Sequence, residues 1–159
     1  MFDRLYTEIG EIKPDCFTPY FTDGSWSMHE LLYYVLMQTG KADIWLTAFS
    51  LSEQSVRTIL KLQDSRLINS MHCVFNTEMR RFKTDLTLFA KYVFPNIRFA
   101  SVHAKLILIK TESLNVAIVG SQNFSINKRY EAGMIITDIN AYNFYYNKLN
   151  DLWLKSPEM

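Results

Sequence analysis

The apolar residues of this 159-residue chain follow two different periodicities. Apolar runs of roughly four to eight residues between turn-forming residues predict strands, whereas apolar residues three and four apart predict helices. The predicted strands are 17–22, 42–49, 70–75, 97–100, 103–109, 116–119 and 132–137. Pro19 limits the first of these to an edge or irregular position, because proline cannot donate a hydrogen bond to a neighbouring strand.

The predicted helices are 28–38, 53–63, one that follows Thr77 and ends before Pro95, and 141–154. Ser27 and Glu30 have the spacing of a capping box at the start of the first helix, and Gly40 is placed to end it. Residues 1–13 follow neither period clearly. The alternatives there are an irregular lead-in or a strand at residues 4–9.

The order of these elements indicates the fold class. Strands alternate with helices along the chain, which favours an α/β fold. We expect a mixed, largely parallel β-sheet flanked by helices on both faces. The chain has no repeats, low-complexity stretch or internal linker, and its length suits one hydrophobic core. A single domain over residues 1–159 is therefore expected.

One stretch, residues 103–131, combines buried strands with polar side chains at their ends. His103 and Lys105 are two residues apart, and side chains at that spacing lie on the same face of a strand. A second short apolar strand is followed by Ser121 and Asn123, which also share a face in an extended chain. Two neighbouring strands would therefore bring a histidine, a lysine, a serine and an asparagine to one place.

The pattern His103-x-Lys105 followed by Gly120-Ser121-x-Asn123 resembles the signature of the phospholipase D superfamily of phosphodiesterases. The chain is similar in particular to the small bacterial endonucleases of that superfamily. This resemblance implies a phospholipase D-like fold with one copy of the motif per chain. Members with a single copy form homodimers in which two copies build one active site, so a homodimer is expected here.

The resemblance also implies a role for each polar residue of the motif. His103 would attack phosphorus to form a phosphohistidine, and Lys105 and Asn123 would hold the phosphoryl oxygens. Ser121 would add a hydroxyl donor, and the second His103, from the partner subunit, would protonate the leaving oxygen. No metal and no cofactor are expected. Glu131 would orient the imidazole through its other ring nitrogen, the alternative being an ordinary surface acid at a strand end.

Composition and charge bear on the ligand. A hydrophobic content of 48% and an aromatic content of 14% indicate a folded globular chain rather than a disordered one. The net charge is only +1, so nucleic acid would be attracted by a local basic patch and not by a global field. Lys128 and Arg129 follow the motif closely and are predicted to bind the substrate.

Two further features concern the compartment. The first ten residues contain charges and no apolar run, so neither a signal peptide nor a membrane span is predicted, and the cytoplasm is the expected location. Cys16 and Cys73 lie far apart without Cys-x-x-Cys spacing. They are predicted to be buried thiols rather than a disulfide or a metal site.

Three function classes follow from these observations. The first is a metal-independent phosphodiesterase, in particular a nuclease, because a small chain without a membrane segment favours nucleic acid over lipid. The second is a lipid phosphodiesterase, although the lipid enzymes of the superfamily usually carry two motif copies in one longer chain. The third is a catalytically silent module for nucleic-acid binding or dimerisation. Lys110 supports the third class, because the family usually carries at that position an aspartate that is generally taken as a structural partner.

Overall fold

The computed structural model describes residues 2–82, 84–126 and 128–158. The helices of these residues are α1 (Phe2–Glu8), α2 (Met28–Thr39), α3 (Glu53–Asp64), α4 (Thr77–Phe82), α5 (Thr84–Val93) and α6 (Ile139–Lys155). The strands are β1 (Phe17–Thr22), β2 (Ala42–Ala48), β3 (Ile68–Asn76), β4 (Asn96–Ala100), β5 (Lys105–Lys110), β6 (Asn115–Gly120) and β7 (Glu131–Ile136). No helix within the described ranges is long and apolar enough to cross a membrane.

The seven strands form one mixed sheet in the order β1-β7-β6-β5-β2-β3-β4. The α/β class and the mixed sheet are confirmed, and β1 lies at an edge, as Pro19 predicted. The expectation of a largely parallel sheet is wrong, because only β2–β3 and β3–β4 pair in parallel. The other four pairs are antiparallel, since β5, β6 and β7 are joined without the helical crossovers that parallel pairs require. The single domain stays a prediction.

Alternating residues of the central strands divide the core into two layers. On β5, Ile107 and Ile109 belong to the layer beneath α1 to α5, whereas Leu106 and Leu108 pack towards α6. Leu149 of α6 lies in the second layer. Helices therefore cover both faces of the sheet, as predicted. Successive side chains of β5 point to opposite faces, and because both faces are covered, the strand is apolar along its interior.

The capping signals predicted for α2 form as expected, and α6 is capped as well. The backbone N–H of Ser27 donates to Oε2 of Glu30 at 2.8 Å, which completes the capping box of α2. Gly40 ends the helix with a φ of 88°, a conformation that favours glycine. The backbone N–H of Ala141 donates to the Asp138 carboxylate at 2.8 Å and caps α6.

The N-terminal segment differs from both alternatives considered for it. Residues 2–8 form helix α1, neither a strand nor an irregular lead-in. Leu5 and Ile9 are four residues apart and both are buried, and Arg4 pairs with Glu8 at 2.9 Å across one helical turn. Helical spacing was therefore present in the sequence, but over too few residues to dominate the pattern.

The two cysteines are free thiols in different environments. Cys73 is fully buried on β3, and its burial raises the pKa of the thiol well above the usual value. Cys16 is only partly buried, so the prediction of two buried thiols is right for one of them.

The path from β4 to β5 determines where the motif lies. β4 is at an edge of the sheet and β5 is in its centre, so residues 101–104 carry the chain past the ends of β3 and β2. His103 lies in this connection, and β5 begins only at Lys105. The expectation that His103 belongs to the strand is therefore wrong, and the residue is exposed beside the sheet rather than part of it.

Candidate active site

Four strands bring the residues of the motif to one end of the sheet, which we call the motif edge. It is formed by the ends of β2 and β6 and the starts of β5 and β7. Lys105 pairs with Gly120, and Gly120 pairs with Gly133 on the next strand. The predicted site residues that lie at this edge are His103, Lys105, Ser121, Asn123 and Glu131. The two motif strands, β5 and β6, are neighbours in the sheet, as expected, so the side chains at their ends lie at the same edge.

Lys105 and His103 are in direct contact at the motif edge. The Lys105 ammonium donates to the backbone carbonyl of His103 at 2.7 Å, and its Nζ lies 3.0 Å from Nδ1 and 3.2 Å from Nε2 of the ring. Because an ammonium has no acceptor, a hydrogen bond to either ring nitrogen requires that nitrogen to be unprotonated. The Lys105 charge is therefore fixed against the imidazole ring.

The burial of Lys105 gives its charge particular weight. The residue is only 9% exposed, and this desolvation lowers the pKa of its ammonium, while the charge of Glu131 acts in the opposite direction. A cation in such a position interacts with an approaching anion more strongly than an exposed surface lysine does.

Asn123 is fixed by the backbone at the end of β2. Its Oδ1 accepts hydrogen bonds from the N–H groups of Phe49 at 3.1 Å and Ser50 at 3.3 Å. Two N–H donors identify that atom as the oxygen, so the side-chain NH₂ points to the other side. The amide is therefore held as a hydrogen-bond donor beside the cluster.

Ser121 and Glu131 form a pair across β6 and β7. The Ser121 hydroxyl donates to Oε2 of Glu131 and accepts from the backbone N–H of Ala132 at 3.1 Å. The hydroxyl hydrogen of Ser121 is thus used to position the carboxylate of Glu131. The proposed contact of Glu131 with the imidazole stays a prediction.

Gly120 of the motif is required by the close approach of Tyr20 from β1. A Cβ on Gly120 would lie 2.4 Å from the Tyr20 hydroxyl and 2.9 Å from the carbonyl oxygen of Ala132. A Cβ on Gly133 would lie 2.3 Å from the same hydroxyl. Burial, with a contribution from the charge of Glu131, raises the pKa of Tyr20. The tyrosine packs over both glycines and closes the site on the side of β1.

Thr47 and Phe49 on the β2 side are site residues that the sequence did not reveal. The Thr47 hydroxyl donates to the carbonyl of Ala104 at 2.9 Å and accepts from the N–H of Leu106 at 3.2 Å. The Phe49 ring lies 5.3 Å from the His103 ring. These residues support the segment that carries the histidine. They reach the site because β2 pairs with β5, and a local sequence pattern does not predict that pairing.

Lys128 and Arg129 lie on the connection between β6 and β7, at the same edge. Both side chains are exposed. Their contact with substrate stays a prediction. Among the described residues, no group of three or more histidine, cysteine, aspartate or glutamate side chains comes together as a metal site would.

Comparisons with protein-family models and with curated protein sequences give no match. Among solved structures, Nuc from Salmonella typhimurium, a phospholipase D family member, superposes with a TM-score of 0.69 at 13% identity, over 91% of this chain and 97% of that one. NucT from Helicobacter pylori gives a TM-score of 0.69 at 11% identity, over 91% and 100%. This chain has a phospholipase D-like fold.

The same fold likeness extends to a protein with a different description. TrmBL2, an archaeal chromatin protein described with a novel mode of DNA binding, gives a TM-score of 0.60 at 13% identity. The match covers 99% of this chain and 58% of that one. The phospholipase D-like fold thus occurs in proteins of more than one kind.

The one departure from the family pattern lies far from the cluster. Lys110 is exposed at the opposite end of β5, five residues from Lys105, or about 17 Å along a strand. It pairs in register with Asp43, whose carboxylate accepts from Ser70 at 2.6 Å and Asn69 at 2.8 Å. These hydrogen bonds, and to a smaller extent the charge of Lys110, lower the pKa of Asp43. The acid at this end of the sheet therefore lies on β2 instead of β5. The residues of the motif edge are not altered by the departure.

We predict that replacing Thr47 with valine misplaces the histidine segment. Valine keeps the shape but leaves the Ala104 carbonyl and the Leu106 N–H without this partner, which costs about 1–3 kcal/mol of unfolding free energy. Thermal unfolding measures the loss of stability, and the chemical shifts of the His103 ring in NMR spectra measure the displacement. Thr47→Ser, which keeps the hydroxyl, is the matched control and should behave like the wild type. Equal stability and unchanged His103 shifts in the valine variant would contradict the supporting role of Thr47.

Proposed function

We propose that this chain is a phosphodiesterase, in particular a nuclease, that acts through His103 in a homodimer. The observation that supports the proposal most strongly is the Lys105 ammonium, buried and 3.0 Å from the ring of an exposed histidine. This contact supports the proposal because it sets the proposed nucleophile beside a fixed positive charge at the motif edge. The phospholipase D-like fold supports the same chemistry. The proposed substrate is nucleic acid in the cytoplasm.

The reaction proceeds in two displacements. In the first, a neutral ring nitrogen of His103 forms a bond to phosphorus, and the bond from phosphorus to the leaving oxygen breaks. The imidazolium of the second His103, from the partner subunit, gives its proton to that oxygen. In the second displacement, a water molecule attacks the phosphohistidine. The imidazole of the partner's His103, which is now neutral, takes a proton from that water. The phosphorus–nitrogen bond breaks and a phosphate monoester leaves.

Lys105 and Asn123 hold the phosphoryl oxygens during both displacements. Lys105 supplies a full positive charge, and Asn123 supplies an amide whose direction is fixed by two backbone donors. Groups held in place before the reaction stabilise developing charge without reorganisation. The positive charge in this scheme comes from the protein itself, so neither a metal nor a cofactor takes part.

The homodimer follows from the number of histidines the reaction needs. One chain brings one His103 to the motif edge, and the scheme uses one as nucleophile and one as acid. His103 is exposed beside the sheet and is free to face a second copy of itself across a two-fold axis.

A catalytically silent DNA-binding module is the second candidate function. The fold likeness to TrmBL2, described by its mode of DNA binding, favours it, and so does Lys110 in place of the family aspartate. Such a module would bind nucleic acid but leave it uncut. Cleavage assays on single-stranded and double-stranded substrates therefore separate the two candidates.

We predict that His103→Ala abolishes cleavage measured in excess EDTA, while the wild type remains active under the same conditions. Because the substitution removes both nucleophile and acid, the rate should fall at least about 1,000-fold. The ring is one of two partners of the buried Lys105 ammonium, so the free energy of unfolding should fall by about 1–3 kcal/mol, and the variant should stay folded. Ser101→Ala, on the same connection, is the control. Cleavage at the wild-type rate by the alanine variant would exclude His103 as nucleophile, and a wild type active only with added Mg²⁺ or Mn²⁺ would point to another mechanism.

We predict that the protein sediments as a dimer at micromolar concentration. Its mass in sedimentation equilibrium should be twice the 18.7 kDa of the chain. The reason is that a complete site needs two motif edges. A monomer that nevertheless cleaves nucleic acid would contradict the two-histidine scheme.

A further inference from the structure

Two exposed aromatic rings lie stacked beside the motif edge. Phe21 of β1 and Tyr130, the residue before β7, have ring centroids 5.6 Å apart and planes inclined by 25°. Phe21 is 69% exposed and Tyr130 is 74% exposed. Among the described residues, no other stacked aromatic pair has both rings exposed. We call Phe21 and Tyr130 the aromatic platform.

The register of the sheet places the platform next to the reacting groups. Phe21 pairs with Ala132, and Tyr130 directly precedes Glu131. From β1 through β7 and β6 to β5 there are three strand spacings, or about 14 Å. A stacked nucleic-acid strand advances about 3.4 Å per nucleotide, so this distance corresponds to about four nucleotides.

The charges around the platform favour a polyanion. Lys128 and Arg129 immediately precede Tyr130, are exposed, and form no ion pair with a described carboxylate. Asp23 is the acid closest in sequence to Phe21, and Arg4 pairs with it at 3.3 Å. Aromatic faces beside unpaired cations are the combination that binds single-stranded nucleic acid.

We propose that the aromatic platform binds unpaired bases of a single-stranded nucleic acid whose backbone runs to the motif edge. Every base has a face that can stack on a ring, whereas paired bases in a duplex are already stacked on their neighbours. The substrate class is therefore single-stranded DNA or RNA, bound with little sequence preference. This inference rests on the proposed function for the direction of the strand, but the binding itself is measured without catalysis.

The experiment measures binding to His103→Ala protein, which holds the nucleic acid without cutting it. The probe is a fluorescein-labelled single-stranded oligothymidine, compared with a duplex of the same length and with an oligonucleotide of abasic sites. The test variant adds Phe21→Ala and Tyr130→Ala. The matched control adds Phe17→Ala, which removes a ring of the same strand and face that is 58% exposed at the other end of β1.

We expect the platform variant to bind oligothymidine about 10-fold to 100-fold more weakly, and the Phe17 variant to bind it like the parent. Duplex and abasic affinities should be the same in all three proteins. Tyr130→Phe, which keeps the ring, should retain full binding. The His103→Ala protein without further changes should bind oligothymidine more tightly than the abasic strand. This difference tests the inference even if the variant with Phe21→Ala and Tyr130→Ala fails to fold.

Three results would overturn the inference. The first is unchanged oligothymidine binding in a folded platform variant. The second is an equal loss on duplex and abasic probes, which would indicate backbone contacts. The third is a change in sedimenting mass, which would assign the rings to contact between copies of the chain. Failure of the proposed function is seen separately, as a wild type that binds but cuts neither nucleic acid nor bis(p-nitrophenyl) phosphate.

Discussion

The arrangement of the motif edge depends on one buried ammonium group. Lys105 is 9% exposed at the start of β5, and a charge in that position requires partners. The backbone carbonyl of His103 supplies one, and the ring of the same residue supplies the other. The lysine therefore holds the histidine beside the sheet, with the imidazole ring in contact with its charge. The same desolvation that makes the charge costly makes it effective towards an incoming anion.

Packing and hydrogen bonds within the chain account for the other residues of the motif. Gly120 is a glycine because the Tyr20 hydroxyl occupies the space of its side chain. Asn123 is directed by the backbone at the end of β2, and Ser121 is committed to Glu131. The apolar interior of β5 separates this edge from Lys110, so the departure from the family pattern changes charge at a distant end of the sheet.

The sequence predicted local structure well where the signal was local. The Ser27 capping box, the stop at Gly40 and the edge strand containing Pro19 all form as expected. Strand direction could not be inferred in the same way, because it depends on whether a connection turns back or crosses over, and β5 to β7 turn back. Tyr20 and Thr47 were missed for a related reason. Their contacts with Gly120 and Ala104 arise from strand pairings between distant parts of the chain, which residue periodicity does not report.

The central claim is that His103 forms a covalent bond to phosphorus. The most direct measurement is to mix the protein with a phosphodiester labelled with radioactive phosphorus, quench during turnover and sequence the labelled peptide. The account predicts label on His103, in a bond that survives alkali and is lost in acid, as a phosphorus–nitrogen bond is. Rapid turnover with no labelled protein, or label on Ser121 in a bond that survives acid, would contradict it.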